Sequence, residues 1–225
     1  MTRRRPTTLT ALTLTTAAAL MLSACGGGDS TGDKGKDEDK IAGADTGDKP
    51  SASPSRSQDR TPSDAQRPEI TFPSDAENVF EDDSTGDATK DAVLKDSELG
   101  INAVDEAIFK GSTGTKALGF YRTDRALSSA ITYVQGYIKD NVSWTGQTRY
   151  FDRRVTLSGA DRAYVVYCSD ETKSYIKHMK TGKVDKDPAA SDGYVLYHTQ
   201  LTKNAAGVWQ TTVVASNRGD KACQP

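Results

Sequence analysis

The sequence predicts an α+β domain in which N-terminal helices pack on a curved antiparallel sheet, with a disordered tether ahead of them. Three observations predict it. Apolar residues recur at helical spacing in two segments, near 94–108 and 127–138; four later runs alternate apolar and polar residues; and short turns containing Gly or Asn join those runs in pairs. Helices followed by an antiparallel meander bury their apolar faces as two layers, the sheet curling over the helices.

In the first helical segment Leu94, Ile101, Val104 and Ile108 share a face, Gly100 weakens the middle and Gly111 is a stop signal. The second is cleaner. Thr123 or Asp124 can cap it, Leu127, Ile131, Val134 and Ile138 follow at spacings of four, three and four, and Tyr133 and Tyr137 lie on a flank. The first strand is expected over 148–157, with Phe151, Val155 and Leu157 on one face and Tyr150, Asp152, Arg154 and Thr156 on the other. Ser158-Gly159-Ala160-Asp161 then turns the chain into a strand from Ala163 to Ser169. A third strand is expected from Tyr194 to Lys203, and Asn204-Ala205-Ala206-Gly207 turns into a fourth, Trp209 to Ser216. Residues 171–192 between the two pairs, with Lys173, Lys177, Lys180, Lys183 and Lys186 around a Thr181-Gly182 turn, read as a projecting hairpin or loop. A solvated basic loop is the plain account of these lysines, and contact with anionic headgroups or wall polymers the functional one.

The N-terminal residues have the form of an export signal. Arg3, Arg4 and Arg5 make a positive head, and an apolar, Thr-rich stretch from Leu9 to Leu22 follows. That stretch is too short for a permanent span, which needs about 20 apolar residues. It ends in Leu22-Ser23-Ala24-Cys25, the pattern of a lipobox, so residues 1–24 are expected to be removed and Cys25 to carry the lipid. Two acyl chains there give stable anchoring where one gives only marginal binding. The expected location is the extracytoplasmic face of the cell membrane.

Residues 26–85 carry fifteen acidic and seven basic side chains, five of the eight prolines, and only Phe72 and Phe80 as aromatics. So little apolar area cannot offset the entropy of ordering, and a disordered stalk from Cys25 to residue 85 is expected. As a flexible coil it spans roughly 40 to 45 Å. All nine tyrosines and both tryptophans lie beyond it, which places the core in residues 86–225.

A net charge of -2 argues against a nucleic-acid partner, and two histidines argue against a multi-histidine metal site. No Gly-rich phosphate loop, metal-spaced cluster or Gly-x-Ser-x-Gly elbow is present, so no cofactor is expected. With Cys25 committed to lipid, Cys168 and Cys223 remain as an even pair in an oxidising compartment, and a disulfide between them is expected.

The order of helices and strands, the run Lys203-Asn204-Ala205-Ala206-Gly207-Val208-Trp209, and the lipobox with its stalk together resemble actinobacterial lipoproteins carrying a nuclear-transport-factor-2-like (SnoaL-like) cone domain. The resemblance covers about 86–225. It implies a cone-shaped domain in a superfamily that holds isomerases, dehydratases and cyclases beside members that only bind or scaffold, so the fold alone leaves the function open. Within such a cone, Trp144, Tyr164, Tyr167, Tyr194 and Tyr197 are candidate pocket aromatics, because alternation sends some of them to the concave face; the same residues also suit a core. Asp152 and His198 are the candidate acid and base. The reading is a non-catalytic binding or interaction module at the cell envelope, with a small molecule or a protein as partner; the rival is a cone-fold enzyme using one of those two residues.

Overall fold

The computed structural model describes residues 66–186 and 191–225. The signal segment, Cys25 and the stalk as far as residue 65 lie outside them. The described chain runs β1 (Ala76–Phe80), α1 (Ala88–Phe109), α2 (Lys116–Tyr121), α3 (Asp124–Asp140), β2 (Val142–Leu157), β3 (Arg162–His178), β4 (Val184–Asp185), β5 (Tyr194–Lys203) and β6 (Trp209–Arg218). The α+β class is as expected. The strands form one sheet in the order β1-β2-β3-β5-β6, with β4 paired on β3, and the helices cover one face.

The helices follow the sequence closely. Asp87 caps α1 by accepting from the Thr89 and Lys90 amides, and Val93, Leu94, Ile101, Val104 and Ile108 are buried. In α3 the buried residues are Ala126, Ala130 and Val134, with Leu127, Ile131 and Tyr137 partly buried beside them. Ile138, expected inside, is 41% exposed in the last turn of the helix, which closes at Asn141 with φ 53. Thr123 occupies the N-cap position without a side-chain cap bond.

The sheet departs from expectation in three ways. It is mixed, because β1 pairs in parallel with β2, Ala76 to Phe80 alongside Gly146 to Tyr150. Residues 66–85, expected in the stalk, therefore start the domain. Ile70 packs against the cluster of Ala103, Ala117, Tyr121 and Val208, and Phe72 stands edge-on to Phe109 at 4.9 Å. The segment escapes a composition reading because partners outside it satisfy its polar groups: Asp75 takes Lys177 at 2.7 Å and Glu81 takes Arg149 at 3.3 Å.

The second departure is length. β3 does not stop at Ser169 but continues to His178, pairing with Val142 to Gln147 of β2. The basic segment is thus half strand; only the turn around Thr181 and Gly182 and the short β4 match the projecting hairpin.

The third is a bulge. Between Phe151 and Arg154 the β2–β3 register shifts, with Asp152 in the left-handed region at φ 51, which aspartate tolerates. Regular alternation would leave Tyr150 and Val155 on opposite faces. The extra residue puts Tyr150, Val155 and Leu157 together against the core, and turns Arg153 inward. There Arg153 meets Glu98 at 2.7 Å, donates to the carbonyls of Glu81 and Leu94, and lies over the Phe80 ring. Phe151 is left partly exposed beneath Arg149.

Cys168 and Cys223 are bonded, as expected, tying the C-terminal turn to β3 across 55 residues of sequence. Closing such a loop is worth about 4 kcal/mol in the chain-entropy account.

Gly146 sits where β2 is held on both sides, opposite Ala76 and Ser174, at φ 97. A Cβ there would lie 2.2 Å from the Lys173 carbonyl oxygen, so the β2–β3 ladder must open to admit one. Gly146→Ala is expected to destabilise by at least about 2 kcal/mol, combining backbone strain with the clash. Urea unfolding checks it, and a midpoint unchanged from wild type would contradict this account of the ladder.

Candidate functional site

Between the concave face of the sheet and helices α1 and α3 lies a cavity of about 460 Å³. Its inner wall is aromatic. Tyr150, Tyr167 and Tyr197 come from three successive strands, β2, β3 and β5, and alternation points all three the same way. Tyr167 and Tyr197 are direct cross-strand partners and stack at 4.9 Å with 14° between planes, and Tyr150 meets Tyr167 edge-on at 6.0 Å. Trp144, Ile101, Val104 and Val195 complete the apolar surface. The exposed lining residues Ser129, Tyr133, Ser216 and Arg218 place the mouth between α3 and the end of β6.

Four charged side chains face this space: Asp105, Arg122, Glu171 and Arg218. At the mouth Glu171 and Arg218 pair at 2.7 Å, and Glu171 also accepts from the Ser169 hydroxyl. Deeper in, Asp105 on α1 accepts from Asn78 Nδ2 at 2.7 Å and from the Trp144 indole at 3.2 Å. Burial pushes the Asp105 carboxyl up to about 6, against the pull of those two donors and of the Arg122 charge. Arg122 follows α2 and donates through Nε to the Gly100 carbonyl at 3.0 Å; burial lowers its pKa. Burial likewise pushes the Tyr167 hydroxyl up to about 12 and raises those of Tyr150 and Tyr197, so all three keep their protons at neutral pH. No group of three or more His, Cys, Asp or Glu gathers to hold a metal ion among the described residues.

The expected site residues divide. Trp144, Tyr167 and Tyr197 line the cavity; Tyr164 and Tyr194 do not, Tyr164 being 40% exposed and Tyr194 standing at the start of β5. Asp152 is exposed in the β2 bulge, and His198 is exposed on the sheet between Val166 and Ala215; neither touches the cavity. Both candidates for a catalytic role thus lie away from the cavity. Asp105 and Arg122 were missed, although a signal existed: Asp105 falls four residues after Ile101, on the apolar face of a helix, where a carboxylate needs a reason.

The Asp105 carboxyl makes a prediction about pH. Its folded pKa lies above the ordinary value near 3.9, so between about pH 4 and 6 the native state binds the extra proton. Its stabilising effect is complete below that range and is lost as pH rises through 6, by at most about 3 kcal/mol. Asp105→Asn removes this dependence. The stability of the variant relative to wild type is expected to rise from pH 4 to pH 7, measured by thermal unfolding across that range. A difference that stays constant with pH would contradict the burial of this carboxyl.

No protein-family model matches the chain, and no match is found among curated proteins. Among solved structures the chain is similar to a ketosteroid isomerase-like protein from Erwinia carotovora atroseptica, with 19% identity over 54% of this chain and 92% of that one, at a TM-score of 0.37. It is also similar to the intermembrane space region of the chloroplast protein ARC6, with 12% identity over 60% of this chain and 99% of that one, at a TM-score of 0.36.

Proposed function

We propose that this chain is a lipoprotein anchored through Cys25 at the outer face of the cell membrane, and that its nuclear-transport-factor-2-like cone domain binds a small amphipathic molecule. The observation that carries the binding reading is the cavity: about 460 Å³ of space, walled by stacked tyrosines and a tryptophan and lined as well by Asp105, Arg122, Glu171 and Arg218. That volume is within the range of about 300 to 1,000 Å³ usual for small-molecule sites. A domain meant only to scaffold gains nothing from polar groups in its interior, since burying them without partners is unfavourable.

One observation favours a second reading, catalysis by proton transfer. A carboxyl raised to about 6 in a cavity lined by five tyrosines is a candidate general acid or base. Binding is preferred because both Asp105 oxygens already accept from wall donors.

Two measurements test these readings. Cys25→Ala should move the protein from the membrane pellet to the soluble fraction, and retention in the pellet would remove the anchor. Mass spectrometry of small molecules extracted from the natively purified protein should recover an amphipathic compound that is unchanged after incubation. Conversion of that compound, lost in Asp105→Asn, would instead select the enzyme.

A further inference from the structure

Resting on the reading of the cavity as a ligand site, we propose that the ligand is an organic anion, a carboxylate or comparable oxyanion on a flat apolar body, with its charged group seated on Arg122. The guanidinium carries the argument. The Arg122 side chain lines the cavity with Nε committed to the Gly100 carbonyl, and its two terminal nitrogens have no hydrogen-bond or ion-pair partner among the described residues. Asp105 is near enough to influence it and yet makes no ion pair with it. A planar guanidinium with two free N–H edges presents the fork that carboxylates and other oxyanions engage in bidentate fashion.

The surrounding groups select the same chemistry. Tyr150, Tyr167 and Tyr197 all feel the charge of Arg122, and their hydroxyls take no partner among the described residues. Each keeps its proton at neutral pH, so each is a donor to an anion held beside Arg122. The other charges are already engaged, Glu171 with Arg218 at the mouth and Asp105 with Asn78 and Trp144. Arg122 is therefore the one charge of the cavity wall whose neighbours leave it to a ligand. Apolar, planar walls on either side set the rest of the molecule: the Tyr167–Tyr197 stack, Trp144, and the aliphatic patch of Ile101, Val104 and Val195.

Two fluorescent probes with a common skeleton separate anion recognition from cavity binding: 8-anilinonaphthalene-1-sulfonate and its uncharged parent N-phenyl-1-naphthylamine. The full chain is titrated with each, and quenching of tryptophan emission reports occupancy, because Trp144 stands in the wall. Loss of a charge-assisted hydrogen-bond pair corresponds to about tenfold to a hundredfold in affinity. The sulfonate is expected to bind the wild type at least about tenfold more tightly than the parent, and Arg122→Gln to reduce it to the level of the parent while leaving the parent unchanged. Arg122→Lys should keep part of the preference. Where Arg122→Gln fails to fold, the ratio of the two probes on the wild type decides alone. Equal affinity for both probes overturns the anion site and leaves the cavity reading intact. A folded Arg122→Gln that keeps the preference overturns the assignment to Arg122. Failure of both probes to bind the wild type overturns the cavity reading itself.

Discussion

Four carboxylates of α1 hold the domain together, and between them they fasten the N-terminal arm, β1, β2 and the start of β6. Asp96 is paired with Arg67 from the N-terminal arm and accepts the Trp209 amide at the start of β6. Glu98 holds Arg153 from the β2 bulge, and Glu106 accepts the Thr71 amide of the arm while pairing with Lys110 one turn on. Asp105 reaches Asn78 on β1 and Trp144 on β2. Asp96 and Glu106 are each 1% exposed, and a carboxylate so placed without partners would be strongly unfavourable. The arm, β1, the bulge and β6 must therefore arrive where α1 needs them. Geometry in this fold is dictated from the helix outward, with the apolar clusters filling the space the ion pairs define.

That arrangement explains why a cavity persists instead of closing. The bulge delivers Arg153 to Glu98, where the pair ties β2 to α1 at one end of the sheet, while Trp144, Thr148 and Tyr150 ahead of it line the cavity. Tyrosines on successive strands face inward, and their hydroxyls keep polar atoms at a depth where an all-apolar wall could collapse onto the helix. Asn78 adds to the picture. Its Oδ1 is the one side-chain oxygen or nitrogen among the described residues that is both fully closed off from solvent and without a partner, while its Nδ2 serves both Asn102 and Asp105.

Much of the architecture was legible in the residues, and the failures have physical causes. Helix faces could be read because apolar spacing at three and four survives inside long segments, as in α1 and α3. β5 ran over the expected residues because its turns carry Gly and Asn at defined places. The disulfide followed from counting. The arm from residue 66 was invisible because its stability comes from partners on α1 rather than from any periodicity of its own. Asp152 was misplaced because a one-residue bulge reverses alternation, and no composition signal marks an aspartate that adopts φ 51. His198 drew attention as a residue type, yet the register of β5 sends it to the face opposite Tyr197.

The cavity's one unpaired guanidinium bears on how the domain balances stability against binding. Burial lowers the pKa of Arg122, the mark of a charge that the protein solvates poorly. An ion pair with Asp105, whose charge reaches it, would relieve it. Asp105 is instead drawn to Asn78 and Trp144, and burial favours its neutral form, so the compensation stays incomplete. A group left in this state is stabilised by whatever anion enters, so the free energy withheld from folding becomes available on binding. The same reasoning separates Arg122 from Arg153. Both are drawn into the interior, but Arg153 meets a carboxylate and two carbonyls and serves the fold, whereas Arg122 meets one carbonyl and an open cavity.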